Sequence, residues 1–407
     1  MQKPPKAKIL PYSHQSISSQ DVQTVQRVLR SGWITQGPKV GEFERKLAEI
    51  CGVKYAVAVS SGTAGLHIAA LALGIGPGDE VITSPNTFVA TPNSILYAGG
   101  RPVFADIDPE TFNLNPRKVE SKINSNTKGI LPIHFAGHPC DMESLSALAK
   151  KRNLFILEDG CHALGAKYQV GSRWHSVGSC AHSDACVFSF HPVKSITTGE
   201  GGAVTTNRKD LYEVMLGLRS HGMVKEEERF ENPEFAFWSK NGKKLLASWY
   251  YEMQNLGFNY RITDFQCALG ISQLSKLKSF IRKRREIASF YDRQLGKLDT
   301  LILPKEKEGF FSAHHLYAVQ LKLEKLSASR AEIFEALRKK GLGVQVHYIP
   351  VHLQPYYKKL GFRKGDFPVA ETYYEREVSL PLFPSMTSAQ IRDVVKKLKE
   401  TLKTHEI

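Results

Sequence analysis

A lysine at position 194 closes the run Phe188-Ser189-Phe190-His191-Pro192-Val193-Lys194, where an apolar strand gives way to a loop. The loop continues as Ser195-Ile196-Thr197-Thr198-Gly199-Glu200-Gly201-Gly202, whose glycines and threonines imply a backbone folded tightly against something. A lysine amine shielded from water there holds its proton less firmly and becomes a nucleophile able to condense with a carbonyl. A lone loop lysine is usually a solvated charge. Two further strand exits change that reading. Leu154-Phe155-Ile156-Leu157-Glu158-Asp159 leaves two carboxylates at a strand end. One of them is suited to keep the ring nitrogen of a cofactor protonated, which makes that ring an electron sink. Ser60-Ser61-Gly62-Thr63-Ala64-Gly65 follows another strand and opens a helix. Small residues and unpaired N–H groups at a helix start suit a phosphate. This loop matches neither a Walker A sequence nor a G-x-G-x-x-G fingerprint, and alone it reads equally well as a plain strand-to-helix turn.

These residues need a scaffold, and the patterning supplies one. Strand-like runs at 55–59, 80–83, 102–105, 129–134, 154–157, 185–190 and 202–206 alternate with helical patterns such as 63–73 and 142–151. Strands alternating with helices predict an α/β fold with a mostly parallel sheet, covered on both faces. Ligands in such sheets bind beyond the carboxyl ends of the strands. The pattern changes near residue 223: residues 224–255 are polar and aromatic and predict a long excursion over the surface or across a partner. Residues 263–295 predict one strong helix, opened by Thr263 with Gln266 at capping-box spacing. A smaller α/β unit follows from about 301, with strands at 316–321 and 343–348 around a helix at 331–340, and a last helix at 388–403. The predicted division is 1–270 as the large domain, with the N-terminal segment, and 271–407 as the connecting helix and small C-terminal domain.

The chain has 407 residues, 42% hydrophobic and 23% charged, which argues against a disordered or disulfide-stapled chain. No apolar run approaches the ~18 residues of a membrane span. Lys3, Lys6 and Lys8 precede no apolar segment of the kind a secretory signal carries. The 55 basic and 40 acidic residues leave a net charge of +15, compatible with nucleic acid, a small polyanion such as a nucleotide sugar, or a basic surface. The densest basic cluster, Arg282-Lys283-Arg284-Arg285, reads as a solvated helix face, and no aromatic ladder or zinc spacing supports a nucleic-acid partner. Cys51, Cys140, Cys161, Cys180, Cys186 and Cys267 form no C-x-x-C pair and no metal-ligand set, and read as free thiols of a reducing, cytoplasmic compartment.

The phosphate-type loop, the strand-end aspartate and the loop lysine, in that order, resemble the pyridoxal-phosphate enzymes of the aspartate aminotransferase fold (fold type I). More narrowly, the chain resembles the DegT/DnrJ/StrS-type family of sugar aminotransferases. The signatures are TQGPKVGEFE (35–44), AVSSGTAGLH (58–67), EDGCHALGA (158–166), FSFHPVKSITTGEGGAV (188–204), LRSHGM (218–223) and GFNYRITDFQCALG (257–270). Within the family, His162, the HLY run at 315–317 and VQVHYIPVHLQPYY (344–357) are similar to members that act in pseudaminic acid biosynthesis.

The resemblance implies pyridoxal 5'-phosphate as cofactor, with pyridoxamine 5'-phosphate as its aminated form. It assigns Lys194 the covalent attachment and the proton transfers, and Asp159 the pyridine nitrogen. Thr63, Ala64 and Ser189 are implied to hold the phosphate, completed by Asn259 from the neighbouring subunit of a homodimer. Phe88 is implied to stack on the ring, and His162 to contact it near the 3'-oxygen. Tyr12, Gly32, Trp33, Ile34, Thr35, His314, His315, Leu316 and Tyr317, with His347 and Tyr348, are implied to contact the substrate. The implied reaction is ping-pong transfer of the amino group of L-glutamate to C4 of a UDP-linked 4-keto-6-deoxy-N-acetylhexose. Its product is UDP-4-amino-4,6-dideoxy-N-acetyl-β-L-altrosamine. Another nucleotide-linked keto-sugar, a same-fold dehydratase, a non-catalytic pyridoxal-phosphate-binding regulator and a nucleic-acid module are the competing readings. Lys194 argues against the dehydratase, which carries histidine there. No helix-turn-helix pattern supports the regulator.

Overall fold

The computed structural model describes residues 9–407. Its centre is a seven-stranded sheet built from β1 (Tyr55–Val59), β2 (Glu80–Thr83), β3 (Arg101–Phe104), β4 (Thr127–Leu131), β5 (Phe155–Asp159), β6 (Ala185–Ser189) and β7 (Gly202–Thr206). The spatial order is β1-β7-β6-β5-β4-β2-β3. Neighbours pair in parallel except at β7, which runs antiparallel to both β1 and β6. The strands are short, β-branched and aliphatic, and their central residues are buried on both faces, as helix-covered parallel strands must be. The carboxyl ends of β1, β2, β5 and β6 share one edge. Parallel register therefore gathers residues 60–63, 84–91, 159–162 and 189–194 at that edge.

Helix α1 (Gly62–Ala72) lies directly on β6 and β7. A Cβ on Gly65 would come within 2.9 Å of Val187 Cγ1, so the glycine permits that close packing. The expected single helix over 263–295 is two: Asp264–Leu274 and α2 (Leu277–Leu295), broken at Ser275 and Lys276. The Thr263 capping box with Gln266 is present. Leu277 and Ile281 of α2 pack into the core of the large unit, whereas Ile287, Ala288, Tyr291 and Leu295 pack into the small one.

The small unit carries an antiparallel sheet, ordered β8 (Leu301–Ile302), β9 (Tyr317–Leu321), β10 (Glu377–Leu380), against the helices Arg330–Lys339 and Ser388–His405. The strand expected at 343–348 reduces to Leu342–Gly343, paired in parallel with Leu10–Pro11. Thus the first described residues join the small unit. The stretch 224–255 holds a hairpin of Phe237–Lys240 with Lys243–Leu246 and leaves Trp249 and Tyr251 exposed. Arg284 departs from the expected solvated face: it is 1% exposed, and its Nη1 donates to the carbonyls of His315 (3.2 Å) and Leu382 (3.0 Å). The cause is register, since Arg284 falls on the apolar side of α2 with Ile281 and Ile287. Among the described residues all six cysteines are free, and no helix is long and apolar enough to cross a membrane.

Candidate active site

A cavity of about 700 Å³ opens at the carboxyl edge of the large sheet. Lys194, Asp159, His162, Ser189, Thr63, Phe88, Tyr12, His347 and Tyr348 all line it. A larger groove of about 1050 Å³ runs along α2 and holds none of the candidate residues, so size does not identify the site.

Asp159 ends β5 and is 7% exposed. Its Oδ2 accepts from Thr91 Oγ1 at 2.7 Å and its Oδ1 from the Cys161 N–H at 3.0 Å. Thr91 in turn lies 2.8 Å from Thr87 Oγ1. These bonds aim a carboxylate into a mostly dry cleft, where it favours a protonated ring nitrogen over a neutral one. Lys194 sits in a tight turn, its N–H donating to His191 O at 2.9 Å. Burial lowers the affinity of its amine for a proton, with Cys161 and Asp159 acting in opposition. An amine that gives up its proton more readily serves better as nucleophile and as proton carrier.

His162 Nε2 lies 3.2 Å from Tyr348 Oη, and its buried Nδ1 has no partner among the described residues. Burial, with Lys194 and His347 nearby, holds this imidazole well below its ordinary range and therefore neutral. Phe88 stands at the mouth, 57% exposed, with its ring 6.1 Å from that of Tyr348.

The residues present fit a pyridoxal phosphate. Ser61 caps α1 through its Oγ, which accepts from the Ala64 N–H at 3.1 Å, leaving the Gly62 and Thr63 N–H groups free of a capping side chain. A Cβ on Gly62 would stand 2.9 Å from Ser189 Cβ and 3.2 Å from Cys161 Sγ. That glycine therefore keeps open the corner between the helix start and Ser189. The unpartnered His162 Nδ1, the aspartate and the amine complete a donor set for a phosphorylated aromatic aldehyde with a basic ring nitrogen.

Several expected contacts fall elsewhere. The Ala64 N–H is spent on Ser61, and Ala64 packs in the core. Ser60, Ser61 and Gly62 line the cavity instead. Trp33 and Ile34 are exposed, as are Gly32 and Thr35, and none lines the cavity. Asn259 is exposed, bridged to Ser220, and outside the cavity of its own chain. His315 is buried beneath the site, its ring centroid 4.3 Å from that of His162, while His314 faces Glu306. Leu316 packs in the core, and Tyr317 lies in the small-unit core with its Oη donating to Asp292 Oδ1 at 2.6 Å. Thr87 and Thr91 were not legible in the sequence. Their one signal is a polar run after β2, whose exit shares the site edge.

A lysine and an aspartate lining one cavity at the carboxyl edge of this sheet, beside a helix start open for a phosphate, fit a pyridoxal-phosphate-dependent enzyme. The chain belongs to the DegT/DnrJ/EryC1/StrS aminotransferase family, whose model matches residues 15–399. Among curated proteins it is similar to the spore coat polysaccharide biosynthesis protein SpsC of Bacillus subtilis, at 41% identity over 97% of both chains. It is similar to the UDP-4-amino-4,6-dideoxy-N-acetyl-beta-L-altrosamine transaminase of Campylobacter jejuni at 39% identity, covering 97% of this chain and 96% of that one. Among solved structures, Helicobacter pylori PseC, an aminotransferase involved in pseudaminic acid biosynthesis, superposes with a TM-score of 0.87 at 33% identity, covering 98% of this chain and all of that one. Spr1654 of Streptococcus pneumoniae, solved in PLP and PMP forms, gives 0.86 at 30% identity over 97% and 99%. The chain is thus a sugar aminotransferase with pyridoxal phosphate as cofactor.

Proposed function

We propose that this enzyme transfers the amino group of L-glutamate to C4 of a UDP-linked 4-keto-6-deoxy-N-acetylhexose, yielding UDP-4-amino-4,6-dideoxy-N-acetyl-β-L-altrosamine. The observation that carries the chemistry is Lys194 in the same cavity as Asp159, which Thr91 holds. The substrate assignment is supported by the Campylobacter and Helicobacter relatives.

Bound pyridoxal phosphate supplies the electron sink. Asp159 keeps a proton on the ring nitrogen. The Lys194 amine would carry the proton taken from Cα of the amino donor, and would carry a proton in the opposite sense when the keto-sugar is aminated. Thr63 and Ser189 bind the phosphate, with Asn259 from a second copy. Phe88 and His162 would hold the cofactor ring, and Tyr12, His347 and Tyr348, which line the same cavity, would contact the sugar. The homodimer is supported by the exposed Trp33, Ile34, Trp249, Tyr251, Met253 and Leu256 on the same chain as the exposed Asn259. Residues 1–270 and 271–407 are read as the two domains, except that Leu10–Pro11 cross to pair with the small one, and 1–8 lie outside the described residues. The free thiols support a cytoplasmic site of action.

The test loads the protein with pyridoxamine phosphate and adds the UDP-4-keto-sugar. Return of the long-wavelength absorbance of bound pyridoxal phosphate, with an amino-sugar of the expected mass and configuration, supports both cofactor and substrate. Return only with a different nucleotide-linked keto-sugar moves the substrate. SpsC, 41% identical and named for spore coat polysaccharide biosynthesis, is the relative that motivates testing other keto-sugars.

A further inference from the structure

A hydrogen-bond chain runs from the sheet of the small unit into the cavity. Glu377 begins β10 and is fully buried. Its Oε2 accepts from the backbone N–H of His347 at 2.8 Å, and its Oε1 lies 2.5 Å from Ser379 Oγ. Ser379 Oγ lies 2.8 Å from His347 Nδ1. With Nδ1 committed to Ser379, Nε2 is the nitrogen that His347 has left for the cavity it lines.

We propose that Glu377 is a positioning residue: through Ser379 it sets the tautomer of His347, and so decides whether His347 offers the cavity a hydrogen-bond donor or an acceptor. The reason is arithmetic. A serine hydroxyl has one proton to give, and a neutral imidazole carries one. If Glu377 holds its proton, the carboxyl O–H donates to Ser379 Oγ and the Ser379 O–H donates to His347 Nδ1. The imidazole proton is then on Nε2, facing the cavity. If Glu377 is ionised, it accepts the Ser379 O–H, and Ser379 Oγ accepts from Nδ1–H. Nε2 then presents a lone pair. On passing from the first state to the second, the carboxyl proton moves to Ser379 and the Ser379 proton to Nδ1. The Nε2 proton leaves through the cavity, so that Glu377 alone changes charge.

The surroundings place the changeover in an accessible range. Burial pushes the Glu377 carboxyl up to about 8, against the hydrogen bonds from Ser379 and the His347 N–H and the charge of Arg330. Tyr373 and Tyr348, also packed near Glu377, have hydroxyls that burial pushes higher, so both remain neutral through that changeover. Burial, with Lys194, holds His347 down to about 3, so its ring is neutral on both sides of the changeover. The other groups facing His347 are Tyr12, whose hydroxyl burial raises, and His162 and His315, both held neutral by burial. The donor form suits a keto or carboxylate oxygen of the substrate. That part rests on the transaminase reading, whereas the tautomer control does not.

The experiment uses the full-length, pyridoxal-phosphate-loaded protein labelled with 15N-histidine. The His347 signals are identified by their loss in His347→Asn. In the wild type the protonated nitrogen is expected to be Nε2 near pH ~6.5 and Nδ1 near pH ~9.5, exchanging around pH ~8. Glu377→Gln, whose amide always donates to Ser379, is expected to keep the proton on Nε2 throughout. Ser379→Ala removes the pH dependence and Ser379→Thr restores it. In turnover, KM for the keto-sugar rises above pH ~8 in the wild type and stays flat in Glu377→Gln. A wild-type tautomer unchanged across this range, or an exchange with the same midpoint in Glu377→Gln, overturns the proposal. The spectral signature needs no turnover, so a failed sugar assignment leaves it standing. A failed signature with intact transamination sinks it alone.

Discussion

Thr91 Oγ1 donates a 2.7 Å hydrogen bond to Asp159 Oδ2 across 68 positions of sequence. The bond fixes the plane of the carboxylate against the floor of the cavity, and Thr87 fixes Thr91 in turn. Thr91→Val keeps the shape and removes the donor. A hydrogen bond to a charged group contributes ~1.5–3 kcal/mol, so pyridoxal phosphate affinity is expected to fall roughly tenfold or more. Equilibrium dialysis of the cofactor measures it, and unchanged affinity would show that the threonine does not orient Asp159.

Gly62 is the second point of leverage. A Cβ there meets Ser189 Cβ at 2.9 Å and Cys161 Sγ at 3.2 Å. Gly62→Ala is expected to lower stability by ~1–3 kcal/mol through overpacking and to weaken cofactor retention. Combining it with Ser189→Gly relieves the clash. Thermal melting of the two variants should therefore show recovery in the double variant, and no recovery would place the strain elsewhere.

Glu377 gives a pH signature in stability. Its folded value of about 8 lies above the usual glutamate value, so between about 4.3 and 8 the unfolded chain has lost a proton that the folded one keeps. Stability at this site therefore declines as pH rises through that window and levels off above it. Glu377→Gln removes the decline. Its melting temperature relative to the wild type is expected to climb from pH 5 to pH 9, and parallel curves would contradict the buried, protonated carboxyl.

Asn259 tests the shared site. Lys194→Ala is expected to lack turnover, and Asn259→Ala to turn over weakly. If each copy completes the other's phosphate site, randomly mixed dimers of the two variants contain one intact site in half the dimers. About a quarter of wild-type activity then returns. No gain on mixing, with exchange shown by light scattering of tagged copies, would confine Asn259 to its own chain.

The strand exits were legible because a parallel sheet places the end of every parallel strand on one edge. That rule and side-chain chemistry pointed to Ser60–Thr63, the Glu158–Asp159 pair and Lys194, the family resemblance gave each its role, and Ser60–Thr63, Asp159 and Lys194 all reach one cavity. The small unit was less legible. Leu316 and Tyr317 are implied to contact the substrate, yet both are buried, and Tyr317 opens β9, the middle strand of its sheet. Arg284 reads as one charge among four, but its place on the helix turns it inward onto the carbonyls of His314, His315 and Leu382.

Local pattern therefore indicated the strands of the large sheet and the three groups at their exits, since periodicity and residue type are properties of neighbours along the chain. The tertiary structure alone decided what holds those groups. Thr91 on Asp159, Tyr348 on His162, and Glu377 on His347 through Ser379 join segments far apart in sequence or turn on which side of a strand faces the site. Such pairs depend on crossover paths, register and packing depth, and no local periodicity encodes these.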